Sequence, residues 1–205
     1  MAFVKKDLQD NLEDLFKSMD DGDNSVFSNG IASLIVSYVS TGVVSTNDAG
    51  TVSGGVYEGS GTGSLSVTAT ACARIIKTAC DNMTDTAHGN DYLAEQIGAG
   101  IKKMADDGVV TTTVTGTLTP SSGSPVTGYG GTATGTISCN ASSLISDLKT
   151  VFSQMWSNRE QAGYDGNLEF AKKLASAVDL FWKNGQITTS GEGNIGGSIG
   201  SGTIA

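Results

Sequence analysis

The sequence predicts an α+β fold of three tandem helix–helix–strand–strand repeats, set out as a pseudo-threefold ring or as a short array. Three observations lead there. One amphipathic helical pattern occurs three times along the chain. After each occurrence the hydrophobic period changes from about 3.6 to 2. Charge follows the same division: all 12 lysines and arginines fall outside the segments 42–68, 108–139 and 185–205.

The recurring helix is clearest in Phe27-Ser-Asn-Gly-Ile-Ala-Ser-Leu-Ile-Val-Ser-Tyr-Val-Ser-Thr-Gly42. Leu93 to Gly108 and Phe170 to Gly185 align with it without a gap. Phe27, Leu93 and Phe170 coincide, as do Ile31, Ile97 and Leu174. So do Ile35, Ile101 and Val178, and then Tyr38, Met104 and Phe181. Steps of four, four and three keep these positions on one helical face. A small residue (Ala32, Gly98 or Ala175) follows the second core position and suits close helix packing. The closing glycine predicts a left-handed helix cap.

A second helix precedes each of these, over about Lys5–Met19, Ala69–Met83 and Ala141–Trp156. Polar linkers at Asp20–Ser25, Thr84–Asn90 and Asn158–Asn167 join the two helices of each unit into a hairpin. Beyond each closing glycine come threonine-rich strands. Val109 to Thr119 alternates, Pro120–Pro125 reads as a turn, and Tyr129 to Ser138 returns. In the first unit, strands begin at Val43 and resume at Tyr57, with a loop expected near Asn47–Gly50. The third hairpin is shorter, running from Gln186 to Ala205. The units are therefore 1–68, 69–139 and 140–205. At this size one unit folds alone only marginally, whereas three in series can share a core. A flexible glycine-serine-threonine linker is the competing reading of the strand segments, and the alternation opposes it.

Those strand segments hold only Asp48, Glu58 and Glu192 as charged residues. Edge strands normally carry charge, proline or bulges that block stray pairing. Uncharged edges imply cover from another unit or another subunit. The candidate interaction residues are accordingly Tyr57, Val110, Thr112, Val114, Tyr129, Thr134, Ile137, Ile199 and Ile204, with Tyr57 and Tyr129 as aromatic anchors.

Glycine supplies 28 residues and proline only 2, which excludes collagen. A net charge of −9 argues against nucleic acid and anionic membrane as partners. The first residues lack the apolar run of a secretory signal, so synthesis in a cytosol is expected. Cys72, Cys80 and Cys139 read as small buried hydrophobes. His88, between Asp85 and Asp91, lacks the further ligands of a zinc site. Asp21–Ser25 resembles the start of a calcium loop, but Ala32 stands where the bidentate glutamate belongs. Gly191-Glu-Gly-Asn-Ile-Gly196 fits a dinucleotide fingerprint only as letters, because no helix and acidic residue follow. Trp156 and Trp182 lie on helical faces and read as core. No catalytic residue, metal ligand or cofactor is expected.

The helix endings Ser-Tyr-Val-Ser-Thr-Gly-Val-Val44 and Lys-Lys-Met-Ala-Asp-Asp-Gly-Val-Val110 are followed by threonine-rich strands. These close on Tyr57-Glu-Gly-Ser-Gly-Thr-Gly-Ser-Leu-Ser66 and Tyr129-Gly-Gly-Thr-Ala-Thr-Gly-Thr-Ile-Ser138. This rhythm resembles the small virion structural proteins of tailed bacteriophages, here as three fused units. The resemblance implies a non-enzymatic structural or assembly protein of the capsid, neck or baseplate, located in the virion and made in the host cytoplasm. It also implies other virion proteins and further copies of the chain as partners. A fused trimer suits a threefold position, or a sixfold ring made from two copies. The alternative is an adhesin or glycan-binding module of a tail fibre or cell surface.

Overall fold

A computed structural model describes residues 3–19, 24–83 and 89–205 of the chain. The helices are α1 (Lys5–Ser18), α2 (Asn24–Ser40), α3 (Thr70–Asn82), α4 (Asn90–Asp106), α5 (Ser142–Asn158) and α6 (Gly166–Lys183). The strands are β1 (Val44–Val52), β2 (Gly55–Ser66), β3 (Val109–Pro120), β4 (Val126–Ser138), β5 (Gln186–Gly191) and β6 (Ser198–Ile204). In chain order this is helix, helix, strand, strand, three times over.

The units close on themselves. Each helix packs against its neighbours in sequence, and α6 returns to α1. The strands do likewise: every neighbouring pair is antiparallel, and β1 pairs with β6 to shut a six-stranded barrel. The molecule is thus a ring of helices standing on a barrel, joined where α2, α4 and α6 touch β2, β4 and β6. Closure removes most of the edge problem posed by the uncharged strands, since along most of their length the strand edges find partners in the next unit.

Apolar periodicity accounts for the helical ring. Leu8, Leu12 and Phe16 line the buried face of α1. The aligned positions Ile31, Ile97 and Leu174 are fully buried, as are Ile35, Ile101 and Val178. Gly98 lets α5 approach: a Cβ there would stand 2.3 Å from Ile145 Cγ1. Asp165 caps α6 by accepting a hydrogen bond from the Leu168 amide at 3.0 Å.

Gly42, Gly108 and Gly185 do a different job from the left-handed cap expected of them. None has positive φ. Each lies where the helical ring meets the barrel, against an aliphatic side chain at the base of a strand. An added Cβ would come within 2.9 Å of Ile204 Cδ1, 3.0 Å of Leu65 Cδ1 or 2.5 Å of Ile137 Cδ1, respectively. Close approach, and not conformation, demands glycine here.

The first hairpin also differs from expectation. Asn47–Gly50 is strand, and the turn is Ser53–Gly54, with φ of 49° and 77°. Two central residues at positive φ match the right-handed twist of the strands they join. Asn-Asp-Ala-Gly has the composition of a loop, but strand pairing on both sides overrides it. Pro120 ends β3, and the expected turn follows it to Val126.

Candidate interaction surface

The barrel interior is layered. Nearest the helices, each strand contributes one aliphatic side chain: Val44, Leu65, Val110, Ile137, Ile187 and Ile204. They belong to the core shared with all three helical hairpins. Next comes a polar layer of Thr46, Thr112 and Thr189, which occupy matching places in β1, β3 and β5. Asp48 lies beside it. Farthest from the helices, Val52, Tyr57, Val114, Leu118, Ala133 and Ile195 form a second apolar cluster. Ile195 belongs to a single 3-10 turn, Gly193–Ile195, that folds inward between β5 and β6. The Gly191–Gly196 segment therefore plugs a barrel and opens no helix.

This layering reassigns most of the expected interaction residues. Val110, Thr112, Val114, Ile137, Ile204 and Tyr57 are buried inside the barrel. Tyr129 is half-buried, edge-on to Tyr57 with ring centroids 6.3 Å apart, and the Tyr57 hydroxyl donates to its carbonyl at 3.4 Å. Neither tyrosine is an outward anchor. The alternation expected of these strands is present, but a closed barrel turns its apolar face inward, so the free face is the other one. On β3 that face is Thr111, Thr113, Thr115 and Thr117. Two expected residues do look outward. Ile199 is 63% exposed. Thr134 donates to Glu192 Oε1 at 2.5 Å on the outer wall.

Unequal hairpins leave a gap in the wall. β5 and β6 are short, so β4 pairs with β5 only from Ala133 onward. Val126–Thr132 has a strand neighbour on one side alone, β3. The Glu192 amide donates to the Thr132 carbonyl at 2.9 Å, so that carbonyl points away from β3. By the period of two, the backbone groups of Gly130 face the same open side. Gly128, with φ of 72°, is the extra residue of a bulge in this stretch. An open cleft of about 740 Å³ lies here, lined by Thr113, Thr115, Gly130, Thr132, Glu192 and Asn194 among others. Sequence reasoning missed the gap, although the short third hairpin was its visible sign.

Elsewhere the ionisable groups serve packing. Burial pushes the Cys72 and Cys139 thiols up to about 12 and Cys80 to about 11, and all three are free. Burial, then the hydrogen bond it donates to Asp179, holds the Tyr38 phenol well above its usual range. Asp179 also meets Lys183 at 2.8 Å. Trp182 is fully buried as expected, whereas Trp156 is 64% exposed with Arg159 stacked 4.0 Å from its ring centre. Trp156 lies at the end of α5, past the last buried turn. His88 and most of Asp21–Ser25 lie outside the described residues. Among the described residues, no three histidine, cysteine or acidic side chains gather around a common point. No helix there is long and apolar enough to cross a membrane. Comparison with protein-family models, with curated proteins and with solved structures finds no match to this chain.

Proposed function

We propose that the chain is a non-enzymatic assembly protein of a bacteriophage virion, joining neighbouring subunits through its β tier. Its body is pseudo-threefold: three units, three junction glycines and three matching threonines recur around one axis. Such a body suits a threefold position in a particle, or a sixfold ring made from two copies. The observation that carries the reading is the one-sided stretch Val126–Thr132 beside an open cleft, in a wall with almost no charge. A neighbour adding a strand there would complete the pairing that the short third hairpin leaves undone. Virion proteins, including further copies of this chain, are its partners on this reading, and no cofactor is required. The alternative, an adhesin, would hold a glycan with glycine-rich loops and exposed aromatic side chains, and binding of the isolated chain to host cells would favour it.

The test places charge on the wall without touching the interior. Thr111→Lys with Thr115→Lys, and separately Thr132→Lys, should leave the circular dichroism and melting temperature of the isolated chain nearly unchanged. Incorporation into particles, and any concentration-dependent growth in light-scattering mass, should be lost. Normal particles containing the lysine variants would overturn the proposal.

A further inference from the structure

Asp48 points into the barrel and is 1% exposed. Its Oδ2 accepts from Thr46 Oγ1 at 2.7 Å, and its Oδ1 accepts from Thr189 Oγ1 at 3.3 Å. Two hydroxyls do not neutralise a carboxylate. A buried charge without a counter-charge is among the costliest arrangements in a protein. The strands contain no lysine or arginine. Among the described residues, Asp48 has no ion-pair partner.

A second, independent feature lies in the same layer. Thr112 is 1% exposed, and its Oγ1 has no hydrogen-bond partner among the described residues. It occupies on β3 the place that Thr46 holds on β1 and Thr189 on β5, so all three side chains turn into the barrel at one level. The opposing strands are stripped to admit these oxygens. A Cβ on Gly61 would stand 2.4 Å from Thr46 Oγ1, and one on Gly200 would stand 2.2 Å from both Asp48 Oδ1 and Thr189 Oγ1. The result is one carboxylate and three hydroxyls buried in one layer of the barrel, between the apolar cluster shared with the helices and the one farthest from them.

We infer that this layer binds one dehydrated alkali cation, with sodium as the ion to try first. Oxygen-only donors select hard cations. A single carboxylate matches a single positive charge, whereas a divalent ion would leave one unit of charge buried and unbalanced. Water would satisfy Thr112 but would leave Asp48 unneutralised.

The full-length chain is melted in sodium chloride and in choline chloride at equal ionic strength. Choline shields its charge behind methyl groups, so oxygen ligands cannot coordinate it closely. The melting temperature should rise with the logarithm of sodium concentration, by about 3–6 °C per tenfold increase once the site is saturated. Asp48→Asn keeps the shape and removes the charge, so its melting temperature should be the same in both salts. Thr112→Val keeps the fold and removes the unpartnered hydroxyl. It should move the onset of the sodium effect to higher concentration by about tenfold. Equal melting of the natural chain in sodium and choline would overturn the inference. So would a sodium effect that survives Asp48→Asn. If Asp48→Asn fails to fold, an unchanged sodium response in Thr112→Val overturns it instead.

Discussion

The helical ring and the barrel are made from the same three units, yet opposite ends of the physics hold them together. In the ring, large side chains do the work. Phe16 and Phe152 each meet Phe170 with ring centroids 5.1 Å apart, and Phe27 joins them. Charged residues cover its outside. In the barrel, backbone pairing closes a cylinder whose interior is largely glycine, alanine and threonine around the middle layer. Its outer wall carries mostly hydroxyls, with Glu58 and Glu192 as exposed charges. The contrast teaches that one chain can set two tiers on different terms. Side-chain volume specifies the ring, and strand register specifies the barrel.

Breaking that contrast begins with the ring. Phe170→Ala should cost about 3–5 kcal/mol, because the ring around it cannot collapse fully into the space. Denaturant unfolding followed by far-ultraviolet circular dichroism measures it. Helices and strands should still unfold together, since one hydrophobic cluster includes residues of both tiers. Separate transitions for the two tiers would show that the junction couples them weakly.

The junction is tested next. Gly185→Val would drive methyl groups against Ile137 and Cys139, whose nearest atoms stand 2.5 and 2.8 Å from an added Cβ. Overpacking of this kind costs about 1–3 kcal/mol. Gly54→Ala is the control. No atom lies within 4 Å of its added Cβ, so its cost, about 1 kcal/mol, comes from the φ of 77° alone. If Gly185→Val leaves stability unchanged, space at the junction is not what requires glycine.

The same pair shows what the sequence could disclose. The six helices were legible because their period of 3.6 recurs in register with itself, and Ile31, Ile97 and Leu174 are indeed buried alike. The strands were legible from their alternation. Which face of the strands is free was not, because closure is a property of six registers together and no single segment displays it. Val110 and Val114 thus read as an outward interface and are core. Gly42, Gly108 and Gly185 were visible as a recurring feature, but a glycine that must be small looks in a sequence like one that must be left-handed. Asp48 read as a loop residue, since Asn-Asp-Ala-Gly imitates turn chemistry, and so the middle layer of the barrel went unseen.

Alkaline pH acts on both tiers through the thiols. Folding raises Cys72 and Cys139 from 9.0 to about 12, chiefly by burial. Cys72 belongs to the ring, on α3, and Cys139 follows the end of β4. The native state therefore keeps protons that the unfolded state loses. Stability is fully present below pH 9 and falls as pH rises from there toward 12. Denaturant midpoints at pH 7.5, 9 and 10 should fall at the last step. Cys72→Ala with Cys139→Ala should flatten that fall, leaving a residue from Cys80 and the tyrosines. A double variant as steep as the natural chain would place the alkaline sensitivity elsewhere.

The smallest effect concerns the charges that distinguish the tiers. Lys102 pairs with Asp106 at 2.7 Å, four residues on, near the end of α4. That order is the less favourable one for a helix, because acid near a C-terminus opposes the helix dipole. Exposed pairs of this kind contribute little to stability in either order. Exchanging them, as Lys102→Glu with Asp106→Lys, should therefore stabilise the chain by only about 0.3–1 kcal/mol, a rise of about 1–4 °C in melting temperature. Salt should diminish the gain. The exchange leaves net charge unchanged, so light-scattering mass serves as a second readout. A modest gain in stability with unchanged assembly would mark the ring's charges as solubilising cover and leave the sparsely charged barrel wall as the contact surface. Loss of assembly on exchange would move the contact to the ring and invert the division of labour between the tiers.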